Sequence, residues 1–190
     1  MSIGWEGKLV RLVPLDHERH FENAYRWINT PEVTRYLCHG YFPMTRIAEE
    51  DWFKRVSANN PDDITFAIET VGGKHIGFSS LHGIDTMHGT ATTGTIIGDP
   101  KEWGHGFGSE SSNLRAFYAF EILGLRLLLS SIIEGNERSL RMQQRVGYRV
   151  CGTIPGRFWK YGRYADETRT YLDRELWRAK NPDIASRISG

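Results

Sequence analysis

The sequence predicts an α/β protein, of the mixed α+β kind, in which helices flank a mostly antiparallel sheet. Its 190 residues are 39% hydrophobic and 25% charged, which is typical of a globular protein. Two patterns indicate the class: three consecutive strand-like runs between 64 and 97, and a strand, glycine-rich loop, helix and strand between 90 and 133. We expect the whole chain, 1–190, to form a single domain.

Composition excludes several classes of protein. Lys and Arg total 24 against 23 Asp and Glu, so the net charge of +1 gives no electrostatic attraction to nucleic acid or to an anionic membrane. The N-terminus lacks the apolar run of a signal peptide, and no segment approaches the ~18 apolar residues of a membrane span, so we expect a cytoplasmic protein. Cys38 and Cys151 form no zinc pattern and are expected to be reduced core residues.

The first strand is predicted over 8–15, and Asp16 follows it as the N-cap of a helix that ends before Pro31. A second helix is predicted from about Thr45 to the break at 59–63. The apolar residues expected on one side of each helix are Phe21, Ala24, Tyr25 and Ile28 in the first, and Ile47, Phe53 and Val56 in the second.

The middle of the sequence predicts an antiparallel meander. Residues 64–69 and 75–81 are β-rich runs joined by a tight turn at 71–74, and a turn at 87–89 leads into a third strand over 90–97. These three strands should lie side by side in chain order.

The second half alternates helices and strands. A helix is predicted over 108–123, with Leu114, Phe117, Phe120 and either Ile122 or Leu123 as its apolar stripe. Residues 125–133 are a nearly unbroken apolar run, which is typical of a strand buried on both faces. Asn136 should cap a helix over 137–145 that Gly147 ends, and strands over 148–154 and 165–172 flank a turn at 161–162.

Three glycines, Gly104, Gly106 and Gly108, stand at alternate positions between the predicted strand and helix. Such a loop suits a bound anion, because glycine permits close approach and the N–H groups of a helix N-terminus point at the ligand. A nucleotide P-loop is excluded because no Lys-Ser or Lys-Thr follows these glycines. A dinucleotide fingerprint fits poorly because the strands upstream are predicted to be antiparallel.

The loop resembles the pyrophosphate loop of the GNAT superfamily of acyl-CoA N-acetyltransferases, whose signature is Q/RxxGxG/A. Segment 103–108, Trp-Gly-His-Gly-Phe-Gly, occupies that place, with Trp103 where Gln or Arg is usual. The resemblance runs from about Lys8 to Trp177 and is closest to the RimJ/RimL-like branch, which includes N-terminal acetyltransferases of ribosomal proteins. Its other landmarks lie at 11–15, 27–33, 84–85, 136–139, 145–148 and 162–166.

The resemblance implies the GNAT fold, with the sheet splayed between the family's fourth and fifth strands, here 91–98 and 125–133. It also implies an N-acetyltransferase that uses acetyl-CoA as co-substrate and needs no metal. The cofactor would lie in the splay, where free backbone N–H groups near 96–98 would bind pantetheine and polarise the thioester. The expected cofactor-binding residues are Ile96, Ile97, Gly98, Trp103, Gly104, His105, Gly106, Phe107, Gly108, Ser109 and Asn136.

The implied acceptor is a primary amine, which attacks the thioester directly in a ternary complex. It could belong to a protein N-terminus, a polyamine, an aminoglycoside, an amino sugar or an amino acid. The hairpin at 157–164, rich in aromatic residues and cations, borders the acceptor pocket in relatives, although it could equally form a dimer contact or cover a sheet edge. A monomer or a homodimer is expected, with no nucleic-acid or membrane partner.

Asn136 and Ser139 are the expected catalytic residues. Asn136 matches a family asparagine that bonds pantetheine or holds the acceptor, beside its role as N-cap. The family's usual tyrosine acid is replaced by Gln143, which cannot donate as an acid. Ser139 matches a serine that RimL-like relatives place near the CoA sulfur, where it could protonate the thiolate directly or through water.

The general base is left open. Thr92 stands where relatives often carry a carboxylate, so the candidates are Glu69, His82, Asp85 and His88, or an ordered water.

Two other functions also stay open. The replacements at positions 92 and 143 are compatible with an acyl-CoA-binding module that has little catalysis. A nucleotide-dependent oxidoreductase would be distinguished by binding NAD rather than CoA.

Overall fold

The computed structural model describes residues 5–38 and 42–185, which form eight strands and seven α-helices. The strands are β1 (Trp5–Glu6), β2 (Val10–Pro14), β3 (Ile64–Thr70), β4 (His75–Asp85), β5 (Thr90–Ile97), β6 (Leu127–Ile133), β7 (Arg149–Lys160) and β8 (Arg163–Asp173). The helices are α1 (His17–Ile28), α2 (Pro31–Thr34), α3 (Arg46–Ser57), α4 (Phe107–Phe117), α5 (Glu137–Val146), α6 (Arg174–Lys180) and α7 (Pro182–Ala185).

All of these strands form one sheet in the order β1-β2-β3-β4-β5-β6-β8-β7. Neighbouring strands are antiparallel except β5 and β6, which run parallel. The β5–β6 pairing joins only 90–92 to 127–129, after which the two strands separate. The predicted meander, the mixed sheet and the splay between residues 91–98 and 125–133 are therefore confirmed.

Helices cover the sheet on both faces. On one face α1 and α3 pack against β3 and β4, and on the other α4 packs against β2, β4, β5 and α5. The predicted cap at Asp16 is present, since its side chain accepts a hydrogen bond from the Arg19 N–H at 3.0 Å. Thr45, near which the second helix is predicted to begin, caps α3 by accepting from the Ala48 N–H at 3.2 Å. The larger core cluster includes Leu81, Phe117, Phe120, Leu125, Leu128, Val146, Leu172 and Trp177.

The predicted helix over 108–123 is interrupted near its end. Its α-helical part is α4, and Tyr118–Ile122 forms a π-helical turn in which the Leu123 N–H donates to the Tyr118 carbonyl at 3.0 Å. Leu114 and Phe120 are buried as predicted, whereas Ile122 is exposed. Leu123, the other residue predicted to end the stripe, is partly buried and packs against the core, so the apolar stripe continues through the wider turn to Leu123.

The predicted apolar side of α3 is wrong at Ile47, which is 77% exposed. Phe53 is buried as predicted, but its buried neighbour one turn earlier is Glu49. Residues 49 and 53 share one side of the helix, which turns residue 47 toward solvent.

Two other burial predictions are wrong. β6 is not buried on both faces along its length: Leu128, Ser130 and Ile132 are buried on the α5 side, whereas Leu129 and Ser131 on the other face are exposed and Ile133, at the end of that face, is buried. Cys38 and Cys151 are also exposed, not core residues. Cys151 lies on β7, the strand at the edge of the sheet, where side chains are less covered.

Glu49 gives the fold a specific pH dependence. Burial raises the pKa of this carboxyl from 4.5 to about 7, because the charged form loses its hydration. The folded protein therefore holds this proton more tightly than the unfolded chain, and stability falls as the pH rises from about 4.5 to about 7. We expect Glu49→Gln to be more stable than the wild type at pH 8 by up to about 3 kcal/mol, with little difference at pH 4.5, in urea unfolding.

The control is Asp51→Asn, which removes an exposed carboxylate from the same helix. It should shift the urea midpoint equally at both pH values. A Glu49→Gln variant that gained nothing at pH 8 would contradict the assigned cause.

Candidate functional site

The gap between β5 and β6 is lined by unpaired strand backbone. In the regular β4–β5 ladder the Gly98 N–H donates to the Ile76 carbonyl at 2.8 Å, so residues 92, 94, 96 and 98 turn their backbone groups toward β4. Because these groups alternate along a strand, Thr95 and Ile97 turn theirs to the other side. That side faces the gap, beyond the last row shared with β6.

This register corrects the expectation of free N–H groups across 96–98. The Gly98 N–H is already bonded, and the Ile96 N–H faces β4. The indole ring of Trp27 also lies against Gly98 so closely that a Cβ there would clash. Of residues 96–98, Ile97 is the one that directs its N–H into the gap. Thr95, which was not predicted, also directs its N–H there.

The glycine loop leads directly into the N-terminus of α4. Gly104 and Gly106 have φ angles of 89° and 87°, in the left-handed region that side chains other than glycine disfavour. The first helical bond runs from the Glu110 N–H to the Gly106 carbonyl at 3.1 Å. The N–H groups of 107–109 therefore precede that bond, and with the helix dipole they have the geometry that suits an anion. Anion binding there stays a prediction.

Glu110 fixes this helix end to the sheet, and the sequence reasoning missed it. Its carboxylate accepts hydrogen bonds from the backbone N–H groups of Lys8, Leu9 and Val10 at 2.9, 2.6 and 2.7 Å. A glutamate in the first turn of a helix is a local signal of stabilisation at the N-terminus. Its partners, however, lie about 100 residues earlier.

Trp103 and Arg138 meet at the mouth of the gap. The Trp103 indole N–H donates to the Ile97 carbonyl at 2.7 Å, and its ring packs on the core beneath α1. The Arg138 guanidinium, from the first turn of α5, lies 3.9 Å from the centre of that ring. Trp103 thus has a packing role, and Arg138, which was not predicted, adds a cation near the glycine loop. His105 is exposed on this loop, beside Phe107.

The predicted catalytic residues stand at the start of α5. Asn136 caps the helix, since its side-chain oxygen accepts the Ser139 N–H at 3.2 Å, and Ser139 is half-buried. Gln143 is buried, donates to the Ser130 hydroxyl at 2.8 Å and accepts from the Thr170 hydroxyl at 2.5 Å. Gln143 therefore ties α5 to β6 and β8 in the place where relatives carry an acid.

Three of the four candidate bases lie away from the gap. Glu69 is buried on β3 and pairs with Arg11, Arg19 and His20. Asp85 and His88 pair at 2.7 Å in the exposed turn that precedes β5, at the end of that strand opposite the glycine loop. Each is thus engaged in a local contact remote from the gap.

His82 is the remaining candidate, and it lies beside the gap. It stands opposite Thr92 in the β4–β5 ladder, and its Nε2 would be 3.6 Å from a Cβ placed on Gly94. Its Nδ1 lies 3.3 Å from the Asp63 carboxylate. Alternation along β5 places this imidazole on the face opposite the buried Thr93.

A charged group occupies the same face across the gap. Glu167 is 4% exposed and accepts a hydrogen bond from the Ser131 hydroxyl at 2.6 Å. Arg169 and Arg157 lie 3.4 and 3.8 Å from its carboxylate. Lys160, in the same hairpin, is buried, and that burial lowers its pKa. We call Ser131, Arg157, Glu167 and Arg169 the Glu167 cluster; it holds two cations and one carboxylate.

Comparison with known proteins supports the family that the loop predicts. The family described as Acetyltransferase (GNAT) domain matches residues 10–149. Spermidine N(1)-acetyltransferase of Escherichia coli (strain K12) is 23% identical over 172 residues, which cover 90% of each chain. FsC-acetyl coenzyme A-N(2)-transacetylase of Aspergillus fumigatus is 28% identical over 192 residues, covering 92% of this chain and 78% of that protein.

A solved structure shows the same fold. Spermidine N-acetyltransferase from Vibrio cholerae, in complex with CoA and spermine, superposes with a TM-score of 0.81 at 22% identity, covering 90% of this chain and 99% of that chain. The predicted GNAT fold is therefore confirmed. These relatives are named for spermidine or for FsC, so the RimJ/RimL-like branch stays a prediction.

Two further features concern only residues 5–38 and 42–185. No group of three His, Cys, Asp or Glu side chains there is placed to hold a metal ion. No helix in those ranges is both long and apolar enough to cross a membrane.

The anion site can be tested at Gly106. We expect Gly106→Asp to abolish CoA binding in calorimetry, because it adds strain at a positive φ and a negative charge beside the N–H groups of 107–109. Gly124→Asp is the matched control, since Gly124 also has a positive φ, 72°, with open space around it beyond the other end of α4. Normal CoA binding by Gly106→Asp, or equal loss in both variants, would contradict the assignment.

Proposed function

Because the chain belongs to the GNAT acetyltransferase family and uses acetyl-CoA, we propose that it transfers the acetyl group to a primary amine by direct attack within a ternary complex. The observation that carries this proposal is the gap between β5 and β6. The N-terminus of α4 lies at its mouth, and His82 and the Glu167 cluster lie on the face opposite α4. Cofactor and acceptor can thus meet from two sides of the sheet.

The cofactor follows the unpaired groups of the loop and strand. Its pyrophosphate binds the N–H groups of 107–109, with the Arg138 guanidinium as a nearby cation. Its pantetheine runs beside the backbone of Thr95 and Ile97. The Asn136 amide nitrogen is a further donor, because the amide oxygen is used for capping.

The acceptor amine must lose a proton before or during attack. His82 Nε2 accepts that proton, with the Asp63 carboxylate beside Nδ1 orienting the ring. The amine nitrogen forms a bond to the thioester carbon, and the C–S bond then breaks. The departing CoA thiolate takes a proton from water directly, or through the Ser139 hydroxyl, which passes its proton to the sulfur and regains one from water in the same transfer. The same serine supports, without deciding, a place in the RimJ/RimL-like branch.

His82→Gln tests the proton acceptor. We expect kcat to fall by about 100-fold or more, because glutamine of similar size cannot accept the proton. The measurement is thiol release from acetyl-CoA with a saturating amine. His88→Gln is the matched control, since His88 also pairs with an aspartate but at the far end of β5. Unchanged turnover in His82→Gln would remove His82 from the mechanism.

The charges of the Glu167 cluster favour a particular class of acceptor. A polyamine carries only cations, whereas this cluster sets two cations, Arg157 and Arg169, beside one buried carboxylate. Glu167 suits the reacting ammonium, and Arg157 and Arg169, both more than half exposed, suit an anionic group on the same molecule. The acceptor is therefore an amine that also bears a carboxylate, unlike the spermidine for which two of the relatives are named.

Lysine and cadaverine, which differ only by one carboxylate, test this choice. We expect kcat/KM for lysine to exceed that for cadaverine by about 10-fold or more, and Arg169→Gln to reduce the ratio, since one charge-assisted hydrogen bond contributes about 1.5–3 kcal/mol. Arg149→Gln, an exposed residue on β7, is the control. A preference for cadaverine or spermidine would overturn the acceptor class. CoA binding without thiol release for any amine would instead favour a binding module.

A further inference from the structure

Arg115 is a buried cation without an acidic partner. It lies in α4 at 2% exposure and forms no ion pair with a carboxylate within the described ranges. Its hydrogen bonds go to the hydroxyls of Ser79, Thr95 and Ser112, at 2.9, 2.6 and 3.0 Å, and to the Gly94 carbonyl at 2.6 Å. Its Nε is buried and has no hydrogen-bond partner among those residues.

Burying this unpaired guanidinium costs free energy of folding, and filling the space between α4 and the sheet does not require a charged side chain. Removing an ion from water costs several kcal/mol unless it is paired, and neutral hydroxyls lower this cost without cancelling the charge. An apolar side chain at this buried position would avoid that cost. The guanidinium therefore places a positive charge between α4 and β5, where it can stabilise negative charge that develops nearby.

The Gly94 carbonyl connects this charge to the gap. Gly94 lies opposite Ser80 in the ladder and turns its backbone toward β4, where its carbonyl also accepts from Arg115. The N–H of the same peptide group belongs to Thr95 and points the other way, into the gap. A charged donor on the carbonyl polarises the peptide and strengthens its N–H as a donor.

We infer that Arg115 is a positioning residue that polarises the Gly94–Thr95 peptide, so that the Thr95 N–H binds the thioester oxygen. The inference rests on the proposed function, since it requires acetyl-CoA in the gap. Negative charge develops on that oxygen during attack by the amine, and a preorganised donor stabilises it. Arg115 itself does not touch the cofactor and acts only through the peptide.

The carbonyl stretch of bound acetyl-CoA reports this polarisation directly. We would record infrared difference spectra of [1-13C]acetyl-CoA on the protein without amine. In the wild type the stretch should lie below that of free acetyl-CoA, and in Arg115→Gln it should return toward the free value. Turnover should fall by roughly 10-fold to 100-fold, while CoA affinity by calorimetry should change less than about 3-fold.

Two further variants separate polarisation from a structural role. Arg115→Lys keeps the charge and should retain at least half of the spectral shift, even if Arg115→Gln does not fold. Ser112→Ala removes a neutral partner of the same guanidinium but not its bond to Gly94, so stretch and turnover should stay as in the wild type.

The outcomes distinguish this inference from the proposed function. A full spectral shift in folded Arg115→Gln, or a complete loss in folded Arg115→Lys, would overturn the role of Arg115 alone. Wild-type protein that binds no acetyl-CoA would overturn the proposed cofactor site instead.

Discussion

β5 and β6 run parallel and share only the rows 90–92 and 127–129 before they diverge. Beyond those rows the backbone groups on the facing edges of β5 and β6 have no strand partner, and buried N–H and C=O groups must find one elsewhere. Trp103 supplies a donor to the Ile97 carbonyl, and Thr93 bonds the Leu129 carbonyl at 3.1 Å where the strands part. The divergence thus creates both a space for a ligand and a row of polar groups that can bind it.

Polar side chains lie on both faces of the sheet where β5 and β6 diverge. On the α5 side, Ser130, Gln143 and Thr170 satisfy one another and hold the strands in place. On the other side, His82 and Glu167 lie across the gap, where less of the sheet is covered. A rigid face and a more open face of one sheet suit a reaction that fixes one substrate and admits another.

Local sequence patterns predicted the helices and strands well. They could not predict which side chains meet residues that are distant in sequence. Caps at Asp16, Thr45 and Asn136 depend on residues within four positions, so the sequence displays them directly. Periodicity alone did not identify the buried side of α3, because the pattern is compatible with more than one orientation toward the sheet. The roles of Arg115 and Glu167 depend on strand register and on which strands become neighbours, and no local pattern encodes either.

The bonds from Glu110 to residues 8–10 carry a consequence for assembly. They join the start of α4 to the second strand across a separation of about 100 residues, so the glycine-loop end of this helix is held in place only after that long chain closure. A ligand at the glycine loop and the N-terminal edge of the sheet therefore stabilise each other. Binding of the cofactor and protection of the first strands from hydrogen exchange or proteolysis are therefore coupled, so that each increases with the other.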